Sequence, residues 1–220
     1  MTDENKVKNH FERSIAEFDL LYTEKKSSIR RFIDRRFRYD NYERYNLTLK
    51  ECENIRGKRV LDIGCGSGRY CIDLAKMGAE KVVGVDLADT AIKMACSLAD
   101  DNSVSESCSF VLGDFMGCSF EQPFSVSLAI GVMDYVSDPV PLISKMRQIT
   151  TEKLIMTFPS KSTYRMAIRK IRYWIRGCPL YFYNADDIKR IMKNAGIENY
   201  SITKLSGSDN SGDYFVVVKL

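Results

Sequence analysis

Four short stretches of this chain carry side chains that could do chemistry together. Asp62-Ile63-Gly64-Cys65-Gly66-Ser67-Gly68 places a carboxylate directly before three glycines at alternate positions. Val82 to Asp86, Cys108 to Asp114 and Ser125 to Asp134 each run from apolar residues into an acid. A glycine turn takes backbone angles closed to other residues and lets the main chain lie against a ligand. A helix starting just behind it offers unsatisfied N–H groups and a positive dipole end, which suit an anion. Acids at the carboxyl ends of parallel strands lie where open α/β sheets bind ligands, and a carboxylate there accepts from ribose hydroxyls.

Glycine spacing separates the nucleotide classes. A dinucleotide fingerprint needs G-x-G-x-x-G, but here Arg69 stands where the third glycine belongs. The run Asp-Ile-Gly-Cys-Gly-Ser-Gly instead resembles motif I of the class I S-adenosylmethionine-dependent methyltransferases. Asp86, Asp114-Phe115 and the stretch from Ile130 to Pro139 follow in the order of that family's later motifs, and the resemblance covers about residues 58 to 220. It implies S-adenosyl-L-methionine as methyl donor. By the same resemblance, Asp62 and Gly64, Cys65, Gly66, Ser67 and Gly68 would hold the methionine portion and Asp86 the ribose. Asp114 and Phe115 would hold the adenine, Ile130 and Tyr135 would flank the cofactor, and Leu87 is a further cofactor contact.

The catalytic candidates are Asp134 and Tyr135, in the loop that faces the methyl group in this family. Many small-molecule members carry a histidine where Tyr135 stands, so a histidine base at that position is excluded. The Asn-Pro-Pro-Tyr or Asp-Pro-Pro-Tyr tetrapeptide of nucleobase amino methylases is absent from the chain. An alcohol acceptor needs a general base, a phenol or carboxylate needs one less, and a neutral amine can do without.

The elements that must position these residues read as a repeated strand, turn and helix. Strands are expected at Arg59–Ile63, Val82–Asp86, Cys108–Leu112, Ser125–Gly131 and Lys153–Phe158, and a closing hairpin at Tyr200–Leu205 and Tyr214–Lys219. Helices fall between them, with Asp89 expected to cap the one after the second strand and Asn184 the one before the hairpin. The fold class is therefore α/β, with a doubly wound, mostly parallel, seven-stranded Rossmann-like sheet. Residues 1–57 read as an N-terminal helical cap, and 58–220 as the cofactor-binding domain with a helical insertion at about 160–180.

Tyr22, Arg35, Arg36, Arg38, Tyr39 and Tyr42 in the N-terminal part are candidates for substrate contact. The insertion adds Arg165 and Arg169, in a stripe with Arg172 and Arg176 beside an apolar face of Tyr164, Ile168, Ile171 and Ile175. Three readings stand for 161–176: a surface helix packed on the core, a lid over an anionic substrate, or a helix resting on an anionic membrane surface.

Composition narrows the setting. The chain has 220 residues and a net charge of +4, and its positive charge flanks the nucleotide-binding core. Seven cysteines form no Cys-x-x-Cys pair, so free thiols in a reducing cytoplasm are expected and no metal site is. The single histidine, His10, leaves little from which to build a histidine triad. The polar start, Met1-Thr2-Asp3-Glu4-Asn5-Lys6, is not that of a secretory signal, and no stretch is apolar enough to span a bilayer. The expected function is O- or N-methylation of a small-molecule acceptor, an anionic one in the reading that makes 161–176 a lid, with nucleic acid not expected as a partner. An RNA or protein methyltransferase using the basic flanks, or an inactive cofactor-binding subunit of a larger assembly, are the alternatives. Oligomeric state is not legible.

Overall fold

The computed structural model describes residues 6–8, 12, 41–161, 178–206 and 212–220. Helix α1 runs through 41–51. Then follow β1 (Arg59–Ile63), α2 (Arg69–Lys76), β2 (Lys81–Asp86), α3 (Asp89–Asp101), β3 (Cys108–Leu112), β4 (Phe124–Ala129), α4 (Pro139–Ile149), β5 (Thr150–Phe158), α5 (Ala185–Asn194), β6 (Tyr200–Lys204) and β7 (Tyr214–Lys219). A 3-10 turn, Phe115–Gly117, follows β3.

The strands form one seven-stranded sheet in the order β3-β2-β1-β4-β5-β7-β6. β1 pairs in parallel with β2 on one side and β4 on the other, so the chain switches direction of growth at the carboxyl end of β1. That switch point opens the crevice in which such sheets bind ligands. β7 is antiparallel to both β5 and β6. The hairpin expected at the end of the chain is present, but only β7 is reversed. The two strands of a hairpin must oppose each other, so β6 regains the direction of β1 to β5.

Alternation along the strands builds a core on each face. Leu61, Ile63, Val83, Val85, Leu154, Met156, Val216 and Val218 pack on one side with Ile143 and Met146 of α4 and Ile188 and Met192 of α5. Val60, Val82, Val126, Leu128, Ile155, Phe215 and Val217 pack on the other with Cys71, Ile72 and Leu74 of α2 and Cys52 and Ile55 behind α1. Both faces are covered, which explains the nearly continuous β-branched runs in the sequence.

The helices begin where local chemistry starts them. Asp138 accepts from Val140 N with Pro139 in the first turn of α4, and Asn184 and Asp187 form a reciprocal capping box on α5. α3 departs from expectation. Asp89 is its first residue, not its cap, and forms an ion pair at 2.5 Å with Lys93. The capping carboxylate comes from Glu12, which accepts from Asp89 N at 2.7 Å, Thr90 N at 3.3 Å and Thr90 Oγ1 at 2.9 Å. Two strand limits also shift by more than one residue. β4 ends at Ala129 because Gly131 turns the chain with φ at 76°. β5 starts at Thr150, which pairs with Phe124 ahead of a register irregularity.

Candidate active site

The switch point lies at the carboxyl ends of β1 and β4, with β2 on the other side of β1. Gly64 leaves β1 with φ at 67°, in the left-handed region that favours glycine. A Cβ on it would lie 2.7 Å from Val132 Cγ2, so the turn after β1 and the loop after β4 meet with no room for a side chain. Gly68 ends the turn as the N-cap of α2, with φ at 77°.

Asp86 ties this turn to the next. Its Oδ2 accepts from Gly66 N at 2.9 Å and its Oδ1 from Ala88 N at 2.9 Å. Burial pushes its pKa up, against the lowering effect of the backbone N–H groups of Ala88, Gly66 and Leu87. Gly113 N in turn donates to Asp86 O at 2.9 Å, which draws the start of the β3 turn to the same place. Leu87 is half-buried beside Asp86.

Asp62 is 1% exposed and accepts from Cys71 Sγ at 3.4 Å. Burial pushes its pKa up to about 7, against that bond, and the nearby charge of Asp86 adds to the rise. A buried acid with one thiol donor is incompletely compensated when ionised, and a cationic ligand group would compensate it. Cys65 is buried, and its Sγ would lie 2.8 Å from a Cβ placed on Gly84. The thiol therefore packs down onto β2, leaving its main chain to line the turn. Ser67 is also buried.

Asp114 stands exposed at the start of the 3-10 turn and accepts from Met116 N at 3.0 Å, while the Phe115 side chain is buried beneath it. On the other flank, Ile130 is half-buried and packs against the α2 side of the core. Gly131 N donates to the buried Thr157 Oγ1 at 2.7 Å, fixing the departure of the chain from β4. Asp134 is buried, and its carbonyl accepts from Tyr181 N at 2.8 Å. Tyr135 N closes a turn onto Val132 O at 3.0 Å, and the Tyr135 side chain packs with Val7, Cys178 and Leu180. Tyr183 Oη donates to Val136 O at 3.0 Å, and burial raises its pKa, so the phenol stays protonated.

The sequence reading missed Arg44. A Cβ on Gly131 would lie 3.6 Å from Arg44 Nη1, so α1 brings a guanidinium to the loop between β4 and the catalytic candidates. Nothing local in the sequence distinguishes Arg44 from Arg56 or Arg59. Tyr22, Arg35, Arg36, Arg38, Tyr39, Arg165 and Arg169 lie outside the described residues; Tyr42 is described and is half exposed. Among the described residues, no group of three or more His, Cys, Asp or Glu could hold a metal ion, and no helix is long and apolar enough to cross a membrane.

These features fit S-adenosylmethionine. The glycine turn brings bare main chain to the carboxyl end of β1, Asp62 is a buried carboxylate at the end of that strand, and Asp86 ends β2 with both oxygens on backbone N–H groups. A family model described as a methyltransferase domain matches residues 55–196. The chain belongs to the class I S-adenosylmethionine-dependent methyltransferase family. Among curated relatives, the ubiquinone biosynthesis O-methyltransferase of Maricaulis maris is 39% identical over 85 residues, 39% of this chain and 33% of that one. The protein of the same name from Dinoroseobacter shibae is 26% identical over 164 residues, 70% of this chain and 65% of that one. The matches thus span less than two thirds of these relatives' own length. In fold, the chain resembles magnesium protoporphyrin IX methyltransferase of Synechocystis with bound S-adenosylhomocysteine, with a TM-score of 0.76, 19% identity and 97% of each chain covered.

Proposed function

We propose that this methyltransferase acts on a small-molecule acceptor, at an oxygen or nitrogen. The observation that carries this reading is the junction of the glycine turn, Asp86 and the Gly131–Tyr135 loop at one switch point. S-adenosylmethionine, when bound, supplies a methyl group on a cationic sulfur, whose departure leaves a neutral thioether.

The chain's own residues then bind and align. Asp62 and Gly64 to Gly68 take the methionine portion, and Arg44 supplies a positive charge beside Gly131 that suits a carboxylate. Asp86 takes the ribose, with Leu87 beside it, while Asp114 and Phe115 take the adenine. Ile130 and Tyr135 flank the cofactor. Holding nucleophile and methyl in line supplies several kcal/mol or more of rate enhancement, on the order of what orientation gives generally. In this reading Asp134 and Tyr135 receive the acceptor proton or orient its oxygen.

Two observations support a small acceptor. The relatives above carry names that refer to ubiquinone biosynthesis and magnesium protoporphyrin IX. The Asp134–Val136 loop is also held from behind by Tyr181 and Tyr183, beside Val7, Cys178 and Leu180, which gives Tyr135 a walled setting. The test begins with calorimetric titration by S-adenosylhomocysteine, with NAD in parallel. Labelled S-adenosylmethionine is then offered with phenolic and carboxylic metabolites, total RNA and protein extract. Label in the small-molecule fraction is expected; label confined to RNA or protein would overturn the reading.

A further inference from the structure

Lys145 lies in α4, the helix whose legible features are its apolar positions Ile143, Met146 and Ile149. Its Nζ donates to Phe115 O at 2.7 Å, Met116 O at 2.9 Å and Cys118 O at 2.6 Å. An ammonium has three N–H bonds. Here all three converge on one turn, the turn that begins at Asp114. The same nitrogen lies 4.9 Å from the centroid of the Phe115 ring, a cation–π contact.

Within itself the turn is closed by Gly117 N to Asp114 O at 3.0 Å and Cys118 N to Phe115 O at 3.1 Å, and Lys145 is the side chain that ties three of its carbonyls to α4. Asp114, Met116 and Gly117 are exposed, and only the Phe115 side chain is buried. Phe115 O also accepts from Cys118 N at 3.1 Å, so at that carbonyl Lys145 adds a second donor to the second lone pair. A lysine from a distant element supplies both the donors and the charge, and hydrogen bonds to a charged donor are about twice as strong as neutral ones. The Asp114 carboxylate depends on the shape so fixed, because its Oδ1 accepts from Met116 N inside the turn at 3.0 Å.

We infer that Lys145 is a positioning residue for the cofactor's adenine, holding the Phe115–Cys118 turn so that Asp114 faces the adenine amino group. The inference rests on the assignment of Asp114 to that group. It concerns selectivity for adenine and not stability alone, and this makes it separable by experiment.

The measurement is the dissociation constant of the full chain for S-adenosylhomocysteine and for S-inosylhomocysteine, in which an oxo group replaces the adenine amino group. The unaltered protein is expected to prefer the adenine form by about tenfold or more, the worth of a hydrogen bond to a charged acceptor. Asp114→Ala should erase the preference. Lys145→Met should bring it to within about threefold of unity, and Lys145→Arg, which keeps the charge in a different geometry, should fall between. Partial unfolding lowers both affinities alike and leaves their ratio unchanged, so a loss of stability alone would not imitate the result. A full preference in Lys145→Met, or in Lys145→Arg if the first variant does not fold, overturns the role of Lys145. A preference that survives Asp114→Ala overturns the adenine assignment beneath it.

Discussion

At the scale of single residues, the site is governed by two acids with different tasks. Asp86 is hydrogen-bonded through both oxygens to backbone N–H groups of the turns it joins. Asp86→Ala removes an anchor of the glycine turn along with the proposed ribose acceptor. Cofactor affinity should fall by about 1–3 kcal/mol, read by calorimetry; unchanged affinity would take Asp86 out of the ribose site. Asp62 works by being costly to ionise. Its pKa rises from the ordinary 3.8 to about 7 in the folded protein. Between those values the folded chain keeps a proton that the unfolded chain has released, so stability falls as pH rises through the window and levels off above it. Asp62→Asn should flatten that part of the profile of melting temperature against pH and raise the melting temperature of the ligand-free protein at pH 8. The same substitution should weaken S-adenosylhomocysteine binding, because the cation of the methionine portion loses its proposed partner. A profile unchanged by the substitution would refute this role for Asp62.

At the scale of elements, the turns set the shape of the site and the helices hold the turns. Gly64 combines a left-handed backbone with a neighbour 2.7 Å from where a Cβ would be. Gly64→Ala adds about 1–2 kcal/mol of backbone strain and pushes the turn against Val132. Both stability in urea and cofactor affinity should drop, affinity by about tenfold or more, since the displaced turn is the binding surface. Asn184 offers a control away from the cleft. Its capping box starts α5, and Asn184→Ala should cost about 1 kcal/mol in urea denaturation with no change in S-adenosylhomocysteine affinity. A change in affinity there would mean that α5 communicates with the site.

At the scale of the whole molecule, ligand binding and folding are coupled because the site is made of turns from separate strands. Saturation at about 100 times the dissociation constant adds about 2.7 kcal/mol, which for a chain of this size raises the melting temperature by about 5–11 °C. S-adenosylhomocysteine should produce that shift and NAD should not, in a thermal scan of the full chain. The sheet itself was legible from the residues. Runs such as Val82-Val83-Gly84-Val85 end in acids, and burial on both faces demands such runs, so β1 to β5, their order in the chain and the glycine turn follow from local pattern. Asp62, Asp86 and Asp114 could be named because each lies within two residues of a strand's end. Three things were decided only by the tertiary structure. Arg44 reaches Gly131 from α1, Glu12 caps α3 in place of Asp89, and Lys145 fastens the Asp114 turn from α4. Each joins residues far apart in the chain through a polar side chain that no local period marks. Hydrophobic periodicity reports which face of an element is buried. It carries no record of which distant backbone group a charged side chain will meet, and that is settled only when the sheet brings the strand ends together.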